Sequence, residues 1–460
     1  MLYRKIIEEF KSWKENENTS LLVYGARQVG KTYLIREFCK DSFSHLYEIN
    51  FSENIVALNT LLTVSNYDGF VKALSFLLPN LPREGDVLFF DEIQIYYEER
   101  NKRIEKDPTF TSNYVDILTL SKTIVDQASY RFILSGSLLG ITLFNIHLNP
   151  AGYLKEITMN PLDFEEYLLA CNVSKEAIDN LKESFKNKEA INPIINEEII
   201  KKFKEYILVG GMPRAVDVFI KKNDYKLVTD THYEIINWYK SDIIKYAPIG
   251  DRLVISMMYE ALASQINEKN RKFIKSHLEE IPNYKNLQLE DKLLWLSNSG
   301  IAIPTYNVHN ATFPLKASKD YKVVKLFAND VGLLTTMLFE TNDKKKIFDD
   351  DSDIDFGAVY ENVAAELLLA HNIQPFYKSM KKDGEIDFVT EKRRSIIPIE
   401  IKSNRPNKLG LYEHKALDKY LDYYKDTNEA YLFGLTNINR INQTLTYYPI
   451  YRIEFFRNER

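Results

Sequence analysis

Two clusters of residues in this chain have the types and spacing to do chemistry. The first is Gly25-Ala26-Arg27-Gln28-Val29-Gly30-Lys31-Thr32, a complete G-x-x-x-x-G-K-T loop. Backbone N–H groups at a helix start, with the positive end of the helix dipole, make an anion site. Gly25 and Gly30 are expected to let the backbone wrap a β-phosphate. Lys31 is expected to reach the β- and γ-phosphates, and Thr32 to ligate Mg²⁺. Further on, the apolar run ending at Phe90 leads into Asp91-Glu92. Asp91 is expected beside that Mg²⁺. Glu92 is expected to orient or deprotonate the attacking water. ATP and Mg²⁺ are therefore the expected cofactors. In the run YRFILSGS (130–137), Ser135 or Ser137 is a candidate γ-phosphate sensor, and a plain strand exit explains the pattern equally well.

The second cluster lies near the other end. Asp387 stands in GEIDF, and Glu400-Ile401-Lys402 ends the apolar run IIPIEIK. Residues i and i+2 of a strand face the same way, so Glu400 and Lys402 share a face. An Asp on a neighbouring hairpin strand can join them, and Glu361 on the preceding helical stretch is a candidate fourth member. From Lys378 to Lys408 there are nine Lys or Arg against five Asp or Glu, an excess of four. A phosphate backbone favours such a patch.

These residues need elements to hold them. LLVY before the loop reads as a buried strand, and YLIREFC after it as a helix. HLYEINFS (45–52), DVLFFDEIQ (86–94) and YRFILSGS read as further strands of an α/β sheet, with ligands at their carboxyl ends. Residues 96–114 are polar and read as a surface loop, followed by a helix over 115–128. PLDFEEYLLAC starts another helix, with Pro161 in an allowed first-turn position. Residues 174–208 read as a helical lid. Between 227 and 308 the order is helix, helix, helix and a short β ribbon, which fits a winged-helix module; its basic residues Arg271, Lys272 and Lys275 are few. The run FDDDSDID (348–355) lacks EF-hand spacing and reads as a solvated linker.

Composition bounds the class. The 460 residues predict two or three domains. A net charge of −5 confines nucleic-acid binding to a local patch. The two cysteines, Cys39 and Cys171, form no zinc spacing and no disulfide framework. The amphipathic start is not a signal peptide, and no run approaches a membrane span. A cytoplasmic protein without membrane contact is expected.

The ordered set GARQVGKT, FFDEIQ, SGS, Asn160-Pro-Leu-Asp-Phe-Glu-Glu-Tyr167 and Gly210-Gly211-Met-Pro213 resembles the AAA-type ATPases of bacteria and archaea that carry an uncharacterised C-terminal domain, near the archaeal ATPase and STAND-like branch. Asp387 in GEIDF, Glu400 and Lys402 in IEIK and Glu361 on the preceding helix resemble the core of the PD-(D/E)XK nuclease fold, which implies Asp387 and Glu400 as metal ligands and Lys402 as the catalytic lysine, activating water or stabilising transition-state charge. The resemblance implies an AAA-type P-loop sheet with helical lid (1–222), a winged-helix linker domain (223–345) and a restriction-endonuclease-like α/β domain (346–460). Where the family places an arginine finger after glycine, this chain has Gly152-Tyr153, which implies slow basal turnover. Arg214 is a candidate lid sensor, equally well read as a surface arginine.

The expected function is a Mg²⁺-dependent ATPase switch or motor acting with nucleic acid, with DNA as candidate partner and a homo-oligomer as candidate assembly. The competing class is a STAND-like signalling ATPase whose last domain only binds. A GTPase reading fails because no [NT]-K-x-D motif is present. Paired acids after the third strand favour water over a small-molecule acceptor.

Overall fold

The computed structural model describes residues 2–107, 109–110, 116–137, 152–264, 289–339, 341–348 and 356–457. The chain divides into two compact units, residues 4–160 with 298–300, and residues 1–3, 161–297 and 301–460.

The first unit is built on five short strands: β1 (Ser20–Tyr24), β2 (Leu46–Asn50), β3 (Val87–Asp91), β4 (Arg131–Gly136) and β5 (Leu154–Thr158). They pair in the order β2-β3-β4-β1-β5, every pair parallel. Helices α1 (Ile7–Asn16), α2 (Lys31–Ser42), α3 (Ile55–Leu61), α4 (Tyr67–Leu77), α5 (Ile93–Lys106) and α6 (Ile117–Gln127) accompany them. Strands β1, β3 and β4 are apolar runs because both faces of a parallel sheet are covered. Phe90 is fully buried, with edge contacts to Phe51 and Phe132 at 5.3 and 5.1 Å between ring centres.

The stretch predicted as a polar loop over 96–114 is helix α5 as far as Lys106. Its acids and bases pair four residues apart, Glu98 with Lys102 and Glu99 with Arg103, on one solvated face. Tyr96 and Tyr97 are buried on the other face. Overall polarity concealed the stripe.

The second unit opens with helices α7 (Phe164–Ala170), α8 (Lys175–Lys186), α9 (Pro193–Val209), α10 (Pro213–Lys222), α11 (Tyr225–Tyr246), α12 (Arg252–Ser264) and α13 (Glu290–Asn298). Then come β6 (Ala302–Val308), β7 (Lys319–Ala328), α14 (Val331–Leu338), α15 (Thr341–Phe348) and α16 (Gly357–Ala370). The chain ends with β8 (Phe376–Ser379), β9 (Glu385–Lys392), β10 (Ser395–Ile401), α17 (Lys415–Tyr423), β11 (Ala430–Gly434), β12 (Asn439–Arg440), β13 (Leu445–Pro449) and a 3₁₀ segment, Ile450–Phe455. The eight strands form one mixed sheet, β12-β13-β11-β10-β9-β8-β6-β7.

The ribbon predicted as a wing is therefore not free-standing. β6 pairs antiparallel with β7 and parallel with β8, so both strands belong to the sheet of the C-terminal half. The predicted boundary at 345/346 runs between strands of one sheet, and the lid boundary at 222/223 lies inside the second unit. Arg271, Lys272 and Lys275 lie outside the described residues, as does most of the predicted acidic linker.

Two of the motifs behind the resemblance have structural causes in this unit. In Pro161–Tyr167, Asp163 caps α7 on Glu166 N at 2.9 Å while Glu166 reaches back to Asp163 N, a full capping box. Glu454 accepts from Phe164 N at 3.2 Å. His371 lies 3.1 Å from Glu454 and 3.8 Å from Asp163, its side chain 5% exposed. The other oxygen of each carboxylate is held by a backbone N–H, so this trio is an ion-pair clamp on the start of α7.

The Gly210-Gly211 turn is held by Asp330. That carboxylate accepts from Gly211 N at 2.6 Å and caps α14 on Leu333 N at 2.9 Å. Burial pushes Asp330 up to about 6. Beside it, Glu366 takes Val331 N at 2.9 Å and lies 3.0 Å from the Tyr206 hydroxyl. A Cβ on Gly211 would sit 2.0 Å from the Leu162 carbonyl oxygen, so no side chain fits.

Gly211→Ala should therefore lower stability by at least about 1–3 kcal/mol, the usual penalty for overpacking, seen as a lower urea midpoint. A pH series tests the clamp. Burial alone would lower the His371 pKa, but Glu454 and then Asp163 outweigh it and raise it. A raised folded pKa contributes stability that is complete below the unfolded value of about 6.5 and is lost as pH rises through the folded value. The stability gap between the parent and His371→Gln should thus be widest at low pH and narrow on the alkaline side.

Candidate functional site

The strand order explains how the first cluster assembles. β4 lies between β1, which leads into the loop, and β3, which carries the acids. The carboxyl ends of β1, β3, β4 and β2 converge there. Asn50 pairs in register with Asp91, which makes the two neighbours at the sheet's end.

Asp91 is 1% exposed and is the hub. Its Oδ2 accepts from Thr32 Oγ1 at 2.8 Å and Asn50 Nδ2 at 3.2 Å. Its Oδ1 accepts from Ser135 Oγ and from Glu92 N, the latter at 3.0 Å. Burial raises its pKa, opposed by the Ser135 and Thr32 hydrogen bonds. Thr32 and Asp91 offer hard oxygen donors side by side, the set Mg²⁺ requires. Ser135, on the intervening strand, belongs to this group.

Ser137 belongs to Glu92. Its Oγ lies 3.4 Å from Glu92 Oε2, and Gln94 Nε2 bridges the two, donating to Glu92 and, at 3.2 Å, to Ser137. Glu92 has φ 56° and ψ 42°, a left-handed conformation at the start of α5. A non-glycine residue there carries about 1–3 kcal/mol of strain, and such residues concentrate at working sites.

The loop has its own supports. Arg4 donates to Val29 O at 2.9 Å and Asn160 O at 2.6 Å. Lys31 Nζ lies over the loop, donating to Gly25 O at 3.0 Å and Ala26 O at 2.8 Å. Gly30, with φ 93°, delivers the chain into α2. Gly25 has a further reason beyond wrapping phosphate: a Cβ there would meet Met159 O at 2.1 Å, because Met159 N bonds to Tyr24 O at 2.7 Å.

Of the other candidates, Tyr153 precedes β5, with the Lys122 ammonium 5.2 Å from its ring centre. Arg214 pairs with Glu234 at 2.5 Å and stands 5.9 Å from the Trp238 ring. Burial pushes the Cys39 thiol up to about 12, which rules it out as a nucleophile at neutral pH.

The second cluster also assembles. α16 carries Glu361, β9 carries Glu385 and Asp387, and β10 leads through Glu400 to Lys402. Lys402 pairs with Glu400 at 2.8 Å, and Asp387 Oδ2 accepts from Ile401 N at 2.8 Å. A further lysine joins them. Lys325 of β7, with a side chain 2% exposed, pairs with Glu361 at 3.0 Å and Glu385 at 2.7 Å. Burial raises Asp387 well above the carboxylate range, and Glu361 and Glu400 push it further. Glu400 is raised by burial against the pull of Lys402.

Among the described residues, Glu361, Glu385, Asp387 and Glu400 converge with Lys325 and Lys402. Glu400 Oε2 is buried with no hydrogen-bond partner. Both observations fit a divalent cation at Asp387 and Glu400.

Asn50, Gln94, Lys325 and Glu385 are the members that sequence reasoning missed. Glu385 had a signal, standing two residues before Asp387 on the same strand face. Lys325 had one as well, a charge inside the apolar run VVKLFA. Asn50 had none without the strand order.

Fold and site together define the first unit as a P-loop ATPase domain. The AAA domain family profile matches residues 17–168. Two domains of unknown function match residues 200–344 (DUF8612) and 356–453 (DUF4143). No curated protein matches the chain. Among solved structures, the Walker-type ATPase Paby2304 of Pyrococcus abyssi is 15% identical, with a TM-score of 0.42, over 73% of this chain and 96% of that one. PCH-2 of C. elegans is 13% identical, with a TM-score of 0.24, over 48% of this chain and 59% of that one. No described helix is long and apolar enough to cross a membrane.

Glu92→Gly tests the strained acid. Relief of the left-handed φ offsets the lost Gln94 and Ser137 contacts. The variant should melt no more than a few degrees from the parent while losing ATP hydrolysis, as read by calorimetry and phosphate release.

Proposed function

We propose that the protein is a Mg²⁺-dependent ATP hydrolase whose nucleotide cycle serves a nucleic-acid-directed C-terminal site. The observation that carries the second half is the convergence of Glu361, Asp387, Glu400 and Lys402 on one face of a mixed sheet. DNA is the favoured substrate class, since the sequence from Lys378 to Lys408 carries a basic excess of four.

At the first site, Lys31 and the backbone N–H groups of residues 25–32 bind the phosphates. Thr32 and Asp91 would hold Mg²⁺, which neutralises charge developing on the phosphate oxygens. Glu92, held by Gln94 and Ser137, orients a water and takes its proton. Ser135 keeps Asp91 aimed at Thr32, so the end of β4 registers what happens at the end of β3.

At the second site, Asp387 and Glu400 would hold a divalent cation, which supplies Lewis-acid chemistry to a phosphodiester. Lys402 stands beside Glu400 as the cationic group for the attacking water or the leaving charge.

Lys31→Ala should abolish binding of a fluorescent ATP analogue, and Glu92→Gln should bind it yet release no phosphate. Parent-like binding by Lys31→Ala would sink the assignment of the loop. ATP turnover of the full chain, slow alone, should rise several-fold with DNA. Turnover indifferent to DNA and RNA would instead favour a signalling ATPase with a purely binding C-terminal half.

A further inference from the structure

The edge of the C-terminal sheet holds a group of side chains that neither half of that function uses. β6 and β7 are in register at Tyr306 with Val324 and again at Asn307 with Asp320, so residues 321–323 bulge out between the two pairs. Beside the bulge lies a cavity of about 240 Å³, with Tyr306, Lys316, Lys319, Tyr321, Gln374 and Phe376 in its lining. Thr305 is the register partner of Lys325, and Tyr306 is the next residue on β6. Successive side chains of a strand point to opposite faces, so the cavity lies on the sheet face opposite Lys325.

Charge sets this cavity apart. Lys319 is half-buried at the start of β7, its ammonium 3.6 Å from the Tyr306 ring centre and 4.4 Å from that of Tyr321. An ammonium out of water is costly, and two ring faces offset part of that cost. Burial and then the neighbouring Lys316 lower the Lys319 pKa, and no described carboxylate opposes them. Burial, then Tyr321 and Glu290, raise the Tyr306 hydroxyl. Among the described residues, the side chains of Lys316, Lys319, Tyr306 and Tyr321 have no hydrogen-bond or ion-pair partner.

Two uncompensated ammonium groups and two phenol hydroxyls beside aromatic walls fit an anion joined to a flat ring. Phosphate oxygens accept from ammonium and hydroxyl groups alike, and charge makes those hydrogen bonds strong. Tyr321 is 55% exposed, so its ring is open to a base that stacks on it. We infer that this cavity is a phosphate site for a nucleotide unit, with Lys316 and Lys319 supplying the charge, the Tyr306 and Tyr321 hydroxyls donating, and the Tyr321 ring carrying the base. A free mononucleotide and one unit of a nucleic-acid strand present the same phosphate and base, and separate titrations tell them apart. The inference does not depend on the carboxylate cluster holding a metal.

The test uses the full chain carrying Lys31→Ala, which silences the phosphate loop, in EDTA so that no divalent ion acts. Fluorescein-labelled oligothymidylate is titrated by polarisation across a salt series, and AMP by calorimetry. Each phosphate neutralised on a single strand contributes about 0.7 to the slope of log affinity against log salt. Adding Lys316→Gln and Lys319→Gln together should therefore weaken strand binding and flatten that slope by about 1.4. If circular dichroism shows that this chain does not fold, Lys316→Gln alone, at an exposed position, should flatten the slope by about 0.7. A flattened slope keeps the pocket and places a strand in it. Loss of AMP binding without a change of slope keeps the pocket and assigns it to free nucleotides. Strand slope and AMP binding both unchanged by the substitutions overturn the inference and leave the nucleic-acid reading of the C-terminal site standing. Neither ligand bound by the Lys31→Ala chain also overturns it.

Discussion

The structure depends on how it satisfies buried carboxylates. An ionised carboxylate out of water is costly unless hydrogen bonds or a counter-charge replace its hydration. Asp91 collects two hydroxyls, an amide side chain and a backbone N–H. Asp330 collects the N–H groups of Gly211 and Leu333. Glu454 holds Phe164 N and His371. Glu361, buried, and Glu385, partly exposed, both pair with the buried ammonium of Lys325. Asp91 ends β3 and Asp330 precedes α14, where unpaired backbone N–H groups are available.

The same requirement separates the motifs by purpose. In the loop and at Asp91-Glu92, donors gather round an acid but leave oxygen ligands side by side, a site that still has chemistry to do. In Pro161–Tyr167 the acids are consumed by a cap and a clamp, and at Gly210–Pro213 Asp330 is consumed in holding the turn. Those two motifs look functional by their composition, and their geometry is architectural. Glu92 sits between the categories. Its carboxylate is held by Gln94 and Ser137, yet its backbone is left strained.

The second unit carries the requirement across a long stretch of chain. The sheet that bears Asp387 and Glu400 begins at β6, far upstream, and its buried charge is balanced from β7. Packing of α16 against this sheet brings Glu361 to the cluster, and Lys325 reaches it from the edge. A lysine stem is long enough to bury its methylenes and deliver the charge to a distant partner.

By itself, the sequence determined the chemistry-bearing residues whose partners are local. The phosphate loop, the Asp91-Glu92 pair, the strand period that puts Glu400 with Lys402, and the apolar runs of β1, β3 and β4 are all written within a few residues of chain. The α/β class followed from them. Tertiary structure alone decided which strand lies beside which, and hence that Ser135 serves Asp91 while Ser137 serves Glu92. It decided that a ribbon read as a wing completes the C-terminal sheet, that Gly211 answers to Leu162 and Asp330, and that Lys325 sits among acids from later elements. The reason is physical. Helical and strand periods are local and visible in one window, whereas the partner of a buried charge is whichever group the packing brings within about 3 Å, at any separation along the chain.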